Sequence, residues 1–186
     1  MINKKFDNKT KMNPLNLQLW ISIVAVVTVL SAAVIDCRKR LIPNVITFAA
    51  MLAGLALHGL HGGWSGLSFS SSGLAVGGGL LLFFYLMGGM GAGDVKLLAA
   101  VGALVGAEKV FAVFVLTVIA GGVMAASQIA LNYSLKNIFR RIKNLVVAWS
   151  FKNHFRVDDP VNASAKNTLP YGVAIAIGTL TAFITQ

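Results

Sequence analysis

The apolar segment at residues 17–35 is the feature that most limits what this chain can fold into. It runs for 19 residues without a charged side chain, which is long enough to cross a bilayer as an α-helix. Within a bilayer every backbone N–H and C=O must be paired inside the protein, so only helices and closed barrels can span it. The apolar residues form blocks and do not alternate, which favours helices. The segment therefore predicts an all-α integral membrane protein.

Further apolar blocks follow along the chain, and about six transmembrane helices are predicted in total. After the first, they cover residues 45–60, 74–87, 95–107, 110–131 and 169–184. The block at 95–107 is short, at roughly 20 Å if helical, so it is expected to tilt into a thinned region or to be shielded by its neighbours. Residues 58–72, which carry no charge, are expected to form a loop. The predicted organisation is a polar N-terminal tail of residues 1–16 and a single membrane-embedded domain of residues 17–186.

Composition supports a membrane protein and indicates which kind of partner the chain binds. The chain is 56% hydrophobic and 12% charged with a mean hydropathy of +0.76, whereas a soluble domain is about 45–50% apolar and about 25% charged. Its net charge of +10 comes from cations that lie between the apolar blocks, so the expected partner is anionic lipid and not nucleic acid. The basic loop at 132–168 contains apolar residues at helical spacing, which predicts an amphipathic interfacial helix between the fifth and sixth spans.

The distribution of lysine and arginine predicts the orientation. If the loops that follow the first and third spans face the cytoplasm, eleven of the 16 lysines and arginines lie on that side. This agrees with the tendency of positive charge to remain inside, although the four lysines of the N-terminal tail would then lie outside. Asp36 and Asp94 both end on the predicted cytoplasmic side.

These two acids are the candidate catalytic residues. Asp36 ends the first apolar segment, and Asp94 follows a glycine-rich run at the end of the third. Two carboxylates that share one proton can hydrolyse a peptide bond without a metal or cofactor, because one activates water while the other polarises the carbonyl. A structural interpretation is equally open at this point: Asp36 would pair with Arg38 or Arg40 as an interfacial charge, and Asp94 would cap a helix.

Other functions are weighed against catalysis. A small proton- or ion-coupled transporter could use Asp36 and Asp94 as a relay, but both acids lie at segment ends and no inverted repeat relates the halves. A non-enzymatic assembly factor would need neither carboxylate. His58 and His61 could share a helix face, yet no third ligand lies near them in sequence, so no metal site is predicted. The single cysteine, Cys37, excludes an internal disulfide and a cysteine-rich zinc module.

Three short motifs resemble those of the type IV prepilin peptidases, the GxGD aspartyl peptidases. Residues 91–97 resemble the G-x-G-D motif of that family. Residues 36–44 resemble its first-aspartate motif, in which an acid is followed by basic residues and Ile-Pro-Asn, and residues 169–172 resemble its Pro-aromatic-Gly motif. The residues that carry the resemblance are Asp36, Arg38, Pro43, Asn44, Gly91, Gly93, Asp94, Lys96, Pro170, Tyr171 and Gly172.

The resemblance implies cleavage of the short basic leader of a pilin precursor at the cytoplasmic face of the bacterial inner membrane. Asp36 and Asp94 carry over as the catalytic pair. Longer family members have an N-terminal domain with paired CxxC motifs that is linked to N-methylation of the new pilin terminus, and one cysteine does not support zinc or methyl transfer here. The compact form is similar to the TadV/CpaA-like group. The substrates of that group are small Flp-type pilins of tight-adherence systems, so a pilus assembly machinery is a further expected partner.

Overall fold

A computed structural model describes residues 14–87, 89–132 and 170–185, and every regular element in these ranges is an α-helix. In chain order they are α1 Pro14–Lys39, α2 Asn44–Leu86, α3 Ala92–Val105, α4 Ala107–Asn132 and α5 Tyr171–Ile184. The all-helical class is therefore confirmed for the described part of the chain. The predicted interfacial helix lies outside the described residues.

Three of the described helices are long and apolar enough to cross a membrane. They are Leu15–Lys39, Asn44–Leu86 and Ala107–Ser127, and the shorter apolar helix Tyr171–Ile184 accompanies them. Large apolar side chains cover their outer surfaces, including Ile23 on α1, Leu52 on α2 and Ile119 on α4, each more than half exposed. Such a surface suits lipid and would be unfavourable in water. The protein is a membrane protein, while the count of six spans stays a prediction.

The described residues up to Ala120 and those from Pro170 onward form one compact unit, and the short helix α3 lies at its centre. Every residue of α3 from Leu97 to Val105 is buried. A helix that is apolar on all sides is buried either in lipid or among other helices. Here α2 provides most of the cover, and α1 and α5 also contact α3. Of the two expectations for this short block, shielding by neighbouring helices is the one that the structure shows.

Gly63 divides α2 into two helical arms. Its backbone angles, φ 58° and ψ −133°, are not helical, and the positive φ suits glycine. His58 Nε2, in the first arm, donates a hydrogen bond to the Leu104 carbonyl oxygen at 2.8 Å, and Ser70 Oγ, in the second arm, donates to the Ala103 carbonyl at 2.7 Å. The predicted loop at 58–72 is therefore wrong in extent. Its uncharged residues continue both arms, and the break is confined to one glycine.

The two arms run in opposite directions along α3. Near the start of the first arm Asn44 meets Lys96, and further on His58 meets Leu104, so this arm is parallel to α3. In the second arm Gly73 approaches Gly102 and, further on, Gly77 approaches Leu98. The small residues at 73, 77 and 102 let the backbones come close. The antiparallel arms thus enclose α3 from two sides.

Helix α1 carries one buried stripe that ends in Asp36. The buried positions recur every three or four residues, as expected for one helix face; they include Leu17, Ile21, Ala25, Val29, Ala32 and Asp36. The helix continues to Lys39 and ends at Arg40, which has a positive φ of 51° and whose N–H bonds to the Asp36 carbonyl oxygen. The polar loop expected from residue 36 onward is thus shorter than predicted, because the last turn of α1 includes Asp36.

Candidate active site

Asp36 is the last residue of the buried stripe of α1, and it accepts a hydrogen bond from the start of α5. It is only 6% exposed. Its Oδ2 accepts a hydrogen bond from the backbone N–H of Gly172 at 2.8 Å, across 136 positions of the chain. The approach is so close that a Cβ added to Gly172 would lie 2.9 Å from the same oxygen. The fold therefore brings the Pro-aromatic-Gly motif onto the first aspartate.

Asp94 lies at the third position of α3 and is 8% exposed. Its Oδ2 accepts the backbone N–H of Gly91 at 3.2 Å, while its own N–H donates to the Gly91 carbonyl oxygen at 3.1 Å. Gly91 is the N-cap residue, so Asp94 stabilises the start of α3 from within the first turn and is not itself the cap. The prediction that Asp94 is the cap is therefore wrong by three positions, although its carboxylate does accept a hydrogen bond from the capping residue.

The two carboxyl groups influence each other. The pKa of Asp94, which lies outside the three long helices, is raised from 3.8 to about 7. Burial of Asp94 is the larger cause, the negative charge of Asp36 is the second, and the Gly91 N–H acts in the opposite direction. Two acids that are 58 positions apart in sequence therefore share one electrostatic environment. At neutral pH a large fraction of Asp94 is protonated, which is the state a proton donor needs.

The other residues of the three motifs lie at helix ends or interact electrostatically with one of the two aspartates. Pro43 and Pro170 directly precede α2 and α5 as their N-cap residues, and Arg38 is exposed at the end of α1. The half-buried Tyr171 interacts electrostatically with Asp94. Arg40 interacts electrostatically with Asp36. The alternative pairing of Asp36 with Arg40 therefore has some support, in addition to the bond from Gly172.

Lys96 and Gly93 connect the Asp94 helix to the segment that follows Asp36. Lys96 Nζ donates a hydrogen bond to Asn44 Oδ1 at 2.9 Å, and Gly93 lies against Ile42, which is buried. Sequence reasoning assigned no role to Ile42, although it lies within the first-aspartate motif. Nor did it single out Phe48, whose ring faces Lys96 Nζ. The motif spacing could have indicated Ile42, but nothing in the sequence marks Phe48.

His58 donates to the Leu104 carbonyl oxygen and its ring lies 4.9 Å from that of Phe69, so it serves the packing of α2 on α3. Within the described ranges no group of three histidine, cysteine or acidic side chains could hold a metal ion.

The comparison with known families agrees with this geometry. Residues 23–126 match the family model described as the type IV leader peptidase family, which covers more than half of the chain and both aspartates. The chain belongs to the type IV leader peptidase family. No curated protein and no solved structure matches it. As a member of the type IV leader peptidase family it is a membrane peptidase, and the family implies a pilin precursor as substrate. Membership gives no support to the transporter alternative.

Proposed function

We propose that Asp36 and Asp94 are the catalytic pair of an aspartyl endopeptidase. The observation that carries the proposal is the pairing of two almost fully buried carboxyl groups from different helices, close enough for the charge of one to act on the other. Burying two acids together is costly unless they are paired or have a function. Family membership supplies the reaction class, because a leader peptidase must hydrolyse a peptide bond.

The two aspartates have different roles: Asp36 is the general base and Asp94 is the general acid. Asp36, whose Oδ2 already accepts the Gly172 N–H, acts in the ionised state and takes a proton from water, and the water oxygen attacks the scissile carbonyl carbon. Asp94 acts in the protonated state and gives its proton to the carbonyl oxygen, so that a neutral diol forms. Asp36 then passes its proton to the amide nitrogen as the C–N bond breaks, and Asp94 recovers a proton from the diol.

The substrate we propose is the precursor of a small Flp-type pilin, cleaved after its short basic leader at the cytoplasmic face of the bacterial inner membrane. One sequence feature supports this location: the excess of lysine and arginine on the side predicted to hold both aspartates. The exposed apolar surfaces of α1, α2 and α4 would place the site beside the bilayer, where the apolar part of a pilin precursor also resides.

The test is processing of an Flp-type pilin precursor in cells that produce the wild type, Asp36→Asn or Asp94→Asn. Asparagine retains the size of the side chain and removes the titrating proton. We expect both variants to insert normally and to leave the precursor uncut. Glu108→Gln is the matched control, because Glu108 is exposed at the start of α4, beyond the other end of α3, and it should cleave like the wild type.

Two results would contradict the proposal. Cleavage at the wild-type rate by either aspartate variant would show that the two-aspartate mechanism is wrong. A precursor that stays uncut even in cells producing the wild type would indicate an assembly factor whose function does not depend on proteolysis.

A further inference from the structure

Four residues join the start of α3 to the segment that follows Asp36. Gly93 and Lys96 are three positions apart and so lie on the same face of α3. A Cβ added to Gly93 would lie 3.1 Å from Ile42 Cβ, and Lys96 Nζ donates to Asn44 Oδ1 at 2.9 Å. We call Ile42, Asn44, Gly93 and Lys96 the clasp. Its two pairs, Gly93 with Ile42 and Lys96 with Asn44, connect parts of the chain about fifty positions apart. One part follows Asp36, and the other contains Asp94.

The ammonium group of Lys96 has two partners on the first turns of α2. Besides the bond to Asn44, Nζ lies 5.7 Å from the centroid of the Phe48 ring, which is within the range of a cation–π interaction. Asn44 and Phe48 are four positions apart and therefore share one helix face. The hydrogen bond and the ring contact both hold the ammonium group against one face of α2. They therefore hold the start of α3 against the start of α2.

The clasp connects the two segments of the chain that carry Asp36 and Asp94. Asp94 lies between Gly93 and Lys96, while Ile42 and Asn44 follow Asp36 after the short turn at Arg40. We propose that Lys96 is a positioning residue that fastens the Asp94 helix to the segment after Asp36 and so maintains the separation of the two carboxyl groups. This inference rests on the proposed function, since it assigns Lys96 a part in the same reaction.

Loss of the clasp should affect turnover more than binding. A shift of about 1 Å in a catalytic group can cost about a hundredfold in rate, so we expect Lys96→Met to lower kcat about tenfold or more while KM changes little. Asn44→Ala removes the other partner and should have a similar effect. Because both substitutions break the same bond, the double variant should be no slower than the slower single variant. Lys96→Arg, which can still donate to Asn44 and stack on Phe48, should recover most of the rate.

The experiment measures cleavage of a purified Flp-type pilin precursor in proteoliposomes across the pH range. Lys109→Met is the matched control, because Lys109 lies in the first turn of α4, beyond the far end of α3; it should behave like the wild type. If the carboxyl groups move apart, Asp36 raises the pKa of Asp94 less, so the loss of activity at high pH should begin at a lower pH in Lys96→Met. A purely stabilising contact would lower the amount of active enzyme without this shift.

The outcomes separate the two proposals. Multiplicative effects of Lys96→Met and Asn44→Ala, or a wild-type rate and pH profile in Lys96→Met, would overturn the clasp while inactive Asp36→Asn and Asp94→Asn variants left the proposed function standing. Cleavage by the aspartate variants would overturn the proposed function, and the clasp with it. A reduced kcat, an unchanged KM, a shifted pH profile and rescue by arginine together would support the clasp.

Discussion

Replacing Gly172 by alanine is the most direct test of how the active site is built. The added methyl group would lie 2.9 Å from Asp36 Oδ2, 3.1 Å from its Cβ and 3.3 Å from its Cγ. Neither side can move away easily. Ala32, one turn before Asp36, is fully buried, and Ala174 and Ile175 are buried on the α5 side. The strain should therefore fall on the Asp36 carboxylate, which would be pushed off the Gly172 N–H.

The size of the effect follows from the hydrogen bond that would be weakened. A hydrogen bond to a charged group contributes about 1.5–3 kcal/mol. If that bond orients Asp36 in the transition state, its loss corresponds to a fall in kcat/KM of about ten- to a hundredfold. We expect Gly172→Ala to insert and fold, because the rest of the α1–α5 contact is unchanged, yet to cleave a pilin precursor within this reduced range.

The assay compares precursor cleavage and thermal unfolding in detergent for Gly172→Ala and Gly79→Ala. A Cβ on Gly79 would meet nothing within 4 Å, so this control makes the same substitution in open space. It should raise helix stability by up to about 1 kcal/mol and leave cleavage unchanged. Wild-type cleavage by Gly172→Ala would refute the reasoning, because the contact between α5 and Asp36 would then have no part in catalysis.

Three further predictions concern the pH dependence of cleavage, the pH dependence of stability, and the side of the membrane that Cys37 faces. Cleavage by the wild type should fall as pH rises through about 7, because Asp94 must be protonated to act as the acid. Since folding raises this pKa from 3.8, Asp94 favours the folded state most at low pH, and that contribution is lost as pH rises towards 7; Asp94→Asn should flatten this part of the thermal-unfolding profile. A profile unchanged in Asp94→Asn would contradict the raised pKa. Cys37 is exposed, directly follows Asp36 and is the only cysteine of the chain. A membrane-impermeant maleimide should label it in inverted vesicles and not in intact spheroplasts, with Cys37→Ser as the blank. The reverse pattern would place this end of α1 on the outer face.

The class of the protein and its candidate catalytic residues can both be predicted from the chain alone. Uncharged apolar blocks of spanning length require helices, because a bilayer offers no partner for backbone polar groups. Acids at the ends of such blocks are rare, and short local motifs connect Asp36, Asp94 and Gly172 to one family. These are local properties of the chain, and local properties can be read from residues that are near each other in sequence.

Other features depended on contacts between distant residues. The hydrophobic pattern could not show that α3 lies at the centre of its compact unit, since a short apolar helix reads the same whether lipid or protein surrounds it. The run at 58–72 resembles a loop in composition, and only packing of both arms on α3 keeps it helical around Gly63. The bond from Gly172 to Asp36 spans 136 positions. Such pairings follow from how the helices pack against one another, so no local pattern in the chain indicates them.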